Sequence, residues 1–216
     1  MAEITDEAVA AILRRHLKLY RWRKPTYQAE MLRRLAELWD GPLARVLDLG
    51  GGTGVMAQTV KVLFPVERIV AVDVHDRFLG GLSIETLAYD GARLPFADGE
   101  FDCVMVNNVI HHIPKDQRVA VLSEGVRVAG GGPLFIKDHL AASRLDHLRL
   151  VGLDMMGNLP FDGMIQADYL EQADWDELAA GIGYRIERTL SGRYRGWPLG
   201  MVFPNRLEIS MKWVRA

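Results

Sequence analysis

Apolar positions in this chain follow two different spacings. In the first forty residues they recur at helical intervals: Ile4, Ala8, Ala11, Ile12 and Leu19 predict a helix over 3–20, with Thr5 or Asp6 at its start. Met31, Leu32, Leu35 and Leu38 predict a second over 27–39, ended by Gly41-Pro42. From Arg45 onward short continuous apolar runs take over, the pattern of strands buried on both faces. These predict strands at 46–49, 68–74, 84–90, 101–106, 134–137, 185–189 and 206–214, with helices at 55–64, 115–128, 141–156 and 168–180 between them. Alternating strands and helices imply an α/β chain. Residues 157–167 form a loop insertion rich in apolar side chains, and 191–204 a long loop.

The first strand runs into Gly50, Gly51, Gly52 and Gly54, a cluster that allows backbone conformations a Cβ forbids and lets something lie close to the chain. A dinucleotide fingerprint needs a third glycine at the sixth position, where Val55 stands, and a P-loop needs Gly-Lys-Ser/Thr, which is absent. The spacing present is Asp-x-Gly-x-Gly-x-Gly, from Asp48 to Gly54. Asp73 closes the second strand, about twenty residues beyond the loop, where an acid can accept both hydroxyl protons of a ribose. Its alternative is to cap a helix over the following DRFLGGL segment, a task Asp76 can also perform.

Composition narrows the classes. A length of 216 residues with 49% hydrophobic content supports a full core. A net charge of −2 argues against a general nucleic-acid binder. No run of about eighteen uncharged apolar residues appears, so no membrane span is expected, and the mixed charges of the first twenty residues do not read as a signal peptide. The single Cys103 excludes an internal disulfide and a multi-cysteine metal site. Cytoplasm is the expected compartment. Six Arg or Lys and no acid between Arg14 and Lys24 make either a solvated helix face or a lid for an anionic substrate, an acidic carrier or an anionic membrane.

The combination of Asp48 to Gly54, Asp73, and then Asp90, Leu94-Pro95-Phe96 and Phe101-Asp102 resembles the class I S-adenosylmethionine-dependent methyltransferases of small molecules. That resemblance implies a doubly wound, Rossmann-like, seven-stranded sheet in the order 3-2-1-4-5-7-6, mostly parallel with the last strand antiparallel. It divides the chain into an N-terminal helical cap, 1–40, and a methyltransferase domain, 41–216. It implies S-adenosylmethionine as cofactor and S-adenosylhomocysteine as product. Gly50, Gly52 and Gly54 would lie against the methionine moiety, whose carboxylate the helix beginning near Val55 favours. Asp48 would hold the ammonium group or tie the loop's amides. Asp73 with Val74 would meet the ribose, Asp90 the adenine amino group, and Gly91 and the Ala92 backbone the ring edge. Asn107, ending the fourth strand beside the loop, would meet the cofactor as well.

The acceptor is less legible. His139, His111 and then Asp138 are the candidates for a base if a hydroxyl is methylated. The His111-His112 pair invites a metal, but neighbouring residues point in divergent directions and no further ligand is visible in the sequence, so no metal is expected. Met155, Met156, Leu159, Phe161 and Met164 are either packing or the wall of an apolar or aromatic pocket. The expectation is methylation of a small acceptor, preferably on oxygen. Alternatives are a polyketide-like intermediate borne by an acyl carrier protein or a lipid, an S-adenosylmethionine-binding subunit without transferase activity, and a nucleotide-dependent oxidoreductase, which the missing sixth-position glycine disfavours.

Overall fold

The computed structural model describes residues 2–158 and 167–216. Seven strands form one sheet: β1 (Arg45–Leu49), β2 (Arg68–Asp73), β3 (Glu85–Ala88), β4 (Cys103–Asn107), β5 (Leu134–His139), β6 (Tyr184–Ser191) and β7 (Glu208–Arg215). Their order is β3-β2-β1-β4-β5-β7-β6. β1 to β5 pair in parallel, and β7 runs antiparallel between β5 and β6. The expected doubly wound topology is present, with β1 and β4 adjacent so that the chain reverses direction around the glycine loop, where such sheets gather ligands.

The helices are α1 (Asp6–His16), α2 (Thr26–Leu38), α3 (Val55–Leu63), α4 (Arg118–Val128), α5 (Arg144–Asn158), α6 (Gln172–Gly181) and the short α7 (Leu199–Val202). One sheet face packs against Trp175, Leu178, Leu122 and Val128 of α6 and α4. On the other, Val9, Ile12 and Leu13 of α1 and Leu32 and Leu35 of α2 share a core with Val55 and Val60 of α3. Each fully buried aliphatic side chain there contributes about 1.5–3 kcal/mol, so the N-terminal helices are bound to the sheet's own core. Asp102 fixes the entry to β1 by accepting hydrogen bonds from the Ala44 and Arg45 amides at 2.9 and 2.8 Å.

Four local expectations need correction. α1 ends at His16, followed by a 3-10 turn at Lys18–Arg21, because Thr5 caps the Ala8 amide but the apolar spacing fails after Leu13. The DRFLGGL segment forms no helix: two glycines in seven residues remove the propensity to start one. β3 stops at Ala88, which leaves Asp90 in an exposed turn beyond the sheet. The loop over 191–204 contains the single turn α7.

Candidate active site

The glycine loop is shaped from below. The Gly50 and Gly51 amides donate to the Val72 carbonyl at 2.8 and 2.9 Å, which pins the loop to the end of β2. Gly50 has φ +76°, and a Cβ there would lie 2.4 Å from Val109. A Cβ on Gly51 would come within 2.9 Å of Ala71, whereas Gly52 opens onto space. The loop thus requires glycine both to pack on the sheet and to leave its upper face clear. Gly54, at φ +77°, begins α3.

Above this loop lies a cavity of about 210 Å³. Asp48, Gly50, Gly51, Thr53, Asn107 and Asn108 form its floor, and Leu13, Leu17, Tyr20, Tyr27 and Met31 of the N-terminal segment form its roof. Asp48 is the unusual group here. Its side chain is buried and receives one hydrogen bond, from Asn107 Nδ2 to Oδ1 at 3.2 Å. Burial pushes its pKa up to about 7, against the effect of Asn107 and with help from the Asp73 charge. A carboxylate this poorly satisfied at a cavity wall suits a cationic ligand group. It does not tie the loop amides, since those of Gly50 and Gly51 reach Val72 and that of Gly52 reaches Asp73.

Asp73 is buried at the end of β2, with Oδ2 accepting from the Gly52 amide at 2.8 Å and Oδ1 from the His75 amide at 3.0 Å. Its position is therefore fixed, and each oxygen keeps a lone pair. Val74 beside it is 50% exposed, an apolar shelf that packs closely enough on Gly91 that a Cβ there would stand 3.2 Å from its Cγ1. Asp90 folds back to accept from the Ala92 and Arg93 amides, and these hydrogen bonds hold its carboxyl below the usual range. The Ala92 amide is thus engaged within the turn. Asp48, Gly50 and Asn107 line the cavity, while Asp73, Val74, Asp90, Gly91 and Ala92 follow along the carboxyl ends of β2 and β3.

The three acid–base candidates come together, but none lines this cavity. His111, Asp138 and His139 are all buried, the last two because β5 runs on to His139 instead of opening into a loop after Lys137. His111 Nδ1 meets Asp138 Oδ1 at 2.5 Å, and its Nε2 lies 3.4 Å from Asp154 Oδ2. Burial disfavours the His111 cation, yet the Asp138 and Asp154 carboxylates outweigh it and carry the pKa up to about 9. Asp138, paired with His111 despite its burial, is held well below the usual carboxylate range.

A second buried group, missed in the sequence, adjoins this one. Lys137 donates to Glu208, to the Tyr27 hydroxyl and, at 2.7 Å, to Asn108 Oδ1. Glu208 also pairs with Arg195 and lies 3.2 Å from His139 Nδ1. The antiparallel register of β5 on β7 sets Glu208 opposite His139. Tyr27 connects this group to the cavity: its ring helps form the wall and its hydroxyl donates to Glu208 at 3.1 Å. Burial and the Glu208 charge push the Tyr27 phenol well above its ordinary pKa. A lone Tyr at the start of an amphipathic helix carries no signal of this role.

Among the expected pocket-wall residues, Met155 is exposed on α5, the side chain of Met156 is not described, and Leu159, Phe161 and Met164 lie outside the described residues. Among the described residues no helix is long and apolar enough to cross a membrane.

Residues 46–132 match a family described as a methyltransferase domain. Over 102 residues the chain is 31% identical to a ubiquinone/menaquinone biosynthesis C-methyltransferase of Pseudomonas putida, covering 40% of this chain and 39% of that protein. The chain therefore spans about two fifths of the length of the curated relatives it matches. The fold extends further than this identity. A SAM-dependent methyltransferase from Aquifex aeolicus superposes with a TM-score of 0.63 at 16% identity, over 92% of this chain and 97% of that one. Magnesium protoporphyrin IX methyltransferase from Synechocystis PCC 6803, solved with bound SAH, gives 0.55 at 20% identity, over 86% and 79%.

Proposed function

We propose that this protein is a class I methyltransferase that binds S-adenosylmethionine over the glycine loop and directs its methyl group to a small acceptor in the cavity beneath the N-terminal helices; the match of residues 46–132 to a methyltransferase-domain family and the likeness of the fold to solved methyltransferases support this reading. The buried Asp48 carboxylate at the cavity wall carries this reading. An ammonium group beside it relieves its desolvation and returns it to the ionised form. The amides at the start of α3 favour the neighbouring carboxylate of the same ligand. Asp73 supplies acceptors for a ribose diol, and Val74 with Asp90 supplies an apolar shelf and an acceptor for the base.

S-adenosylmethionine supplies the methyl group on a sulfonium, already activated for transfer. The chain supplies placement. Leu13, Leu17, Met31 and Met56 give the cavity an apolar lining suited to a small apolar or aromatic acceptor. α1 and α2 supply part of its wall, and an acceptor held at contact distance needs little further help. Methylation on oxygen is favoured by Tyr27, whose hydroxyl faces Lys137, Glu208 and Asn108 and so offers an acceptor's proton a hydrogen-bonded route away from the cavity. Methylation on carbon also releases a proton, and the Pseudomonas relative is named for that reaction.

Calorimetry tests the binding half of the proposal. Intact protein takes up one equivalent of S-adenosylmethionine and of S-adenosylhomocysteine, and Asp73→Ala weakens both at least tenfold. Absence of binding by the intact protein overturns the proposal.

A further inference from the structure

The segment that roofs the cavity carries charges the fold leaves unpaired. Between Arg14 and Lys24 stand six cations and no acid, and all six are exposed. Arg14 and Arg15 have local reasons for their place: both lie in the last turn of α1, where the helix dipole favours a cation, and Arg14 Nε donates to the Tyr20 carbonyl at 3.1 Å. Lys18, Arg21, Arg23 and Lys24 lie beyond that turn, and among the described residues none of them pairs with a carboxylate. Asp6, the acid that reaches the start of α2 at Thr26, is engaged by Arg33 at 2.8 Å.

Trp22 stands between Arg21 and Arg23 with 93% of its surface exposed. An indole left in water adds nothing to the core and leaves about 150–250 Å² of largely apolar surface unburied. Leu17 and Tyr20, from the same stretch, line the cavity. The segment is thus apolar toward the cavity and cationic, with a tryptophan, toward solvent. A second exposed indole belongs to the same edge of the sheet. The connection over 192–207 joins β6 to β7 at the end where Glu208 pairs with His139, which is the carboxyl end of β5. Its Tyr194 ring packs on Tyr27 at 5.0 Å, and Trp197, a few residues further on, is 84% exposed.

We propose that the segment from Arg14 to Lys24 docks this protein on an anionic lipid bilayer, with Lys18, Arg21, Arg23 and Lys24 against the headgroups and Trp22 and Trp197 at headgroup depth. Cations beside an anionic leaflet gain from its surface potential, and indole rings settle at the membrane–water interface without a shaped pocket. An acidic protein would satisfy the charges but would also have to enclose Trp22, so the two residue types together favour the bilayer. Docking in this way sets the roof of the cavity beside the lipid. It stands whether or not methyl transfer is the activity.

Full-length protein is mixed with vesicles of phosphatidylcholine alone, and of phosphatidylcholine and phosphatidylglycerol in equal parts, and sedimented. The expected result is co-sedimentation with the anionic vesicles only, weakening as salt is raised, with a blue shift of tryptophan emission on binding. At roughly fivefold per cation near an anionic surface, replacing both Arg21→Gln and Lys24→Gln is expected to weaken binding about 25-fold. Trp22→Ala is expected to weaken it as well and to lessen the emission shift. These side chains are exposed and line no part of the cavity, so Tm and S-adenosylhomocysteine binding should match the parent in each variant. Intact protein that leaves both kinds of vesicle unbound, or binds neutral and anionic ones alike, overturns the proposal without recourse to any variant. Variants that bind anionic vesicles as tightly as the parent overturn it too, as does uptake of an acidic acyl carrier protein in place of vesicles. S-adenosylmethionine binding measured on the same samples separates this failure from failure of the methyltransferase reading.

Discussion

Replacing Asp48 by Asn separates what the site demands from what the fold prefers. The carboxyl titrates near 7 in the folded protein against an ordinary value of 3.8, a difference of about three units. At about 1.4 kcal/mol per unit, the ionised side chain costs the ligand-free protein on the order of 4 kcal/mol at pH 8. Between about pH 4 and pH 7 the folded state keeps a proton that the unfolded chain has lost. Stability therefore falls as pH rises through that window and levels off above it. Asn keeps an oxygen for the Asn107 amide, which donates to Asp48 Oδ1, but carries no charge. Asp48→Asn is thus expected to be more stable than the parent at pH 8, by up to about 4 kcal/mol, and equal to it near pH 4. The same variant loses most of its affinity for S-adenosylmethionine. Urea denaturation at both pH values, with calorimetry at pH 8, reads the two effects. A variant no more stable than the parent at pH 8 refutes the idea that this carboxylate is held ready at the expense of the fold.

Other variants probe the neighbouring contacts. Gly50→Ala places a Cβ 2.4 Å from Val109 at a φ of +76°; a loss of about 1–3 kcal/mol in urea denaturation is expected, together with lost S-adenosylhomocysteine binding. Asp73→Ala removes the acceptor of the Gly52 amide as well as the proposed ribose contact, so its affinity loss should exceed its stability loss of about 1 kcal/mol. Tyr27→Phe removes the hydroxyl between the cavity and Glu208; with a hydroxyl acceptor, kcat should fall while KM for S-adenosylmethionine stays near that of the parent, and an unchanged kcat removes Tyr27 from the proton route.

How legible all this is in the sequence depends on where each residue's partners lie. β1, β2 and β4 are mainly apolar runs with Asp or Asn at the last or next-to-last position, and that local pattern suffices to place Asp48, Asp73 and Asn107 near one loop. Asp90 is harder, because β3 is a short exposed edge strand whose end is set by pairing with β2. The buried charges are harder still. Lys137-Asp138-His139 reads as the polar start of a loop, yet all three are strand residues whose partners Tyr27, His111, Asp154 and Glu208 come from four separate elements or connections. Nothing local distinguishes a solvated Lys-Asp-His from one whose charges are neutralised by residues up to 71 positions away. The same is true of the roof of the cavity, where the helical spacing of Leu13 and Met31 marks an amphipathic helix but not what its apolar face covers.

Methyl transfer itself decides whether the protein is a transferase. Purified protein is incubated with S-adenosylmethionine carrying an isotopic methyl group and a fractionated small-molecule extract, and label is followed into organic-soluble products. Label is expected in a small, largely apolar product, formed by the intact protein and strongly reduced with Asp48→Asn. Label that stays on S-adenosylmethionine across all fractions, from protein that binds it stoichiometrically, contradicts the transferase and leaves a binding protein in its place.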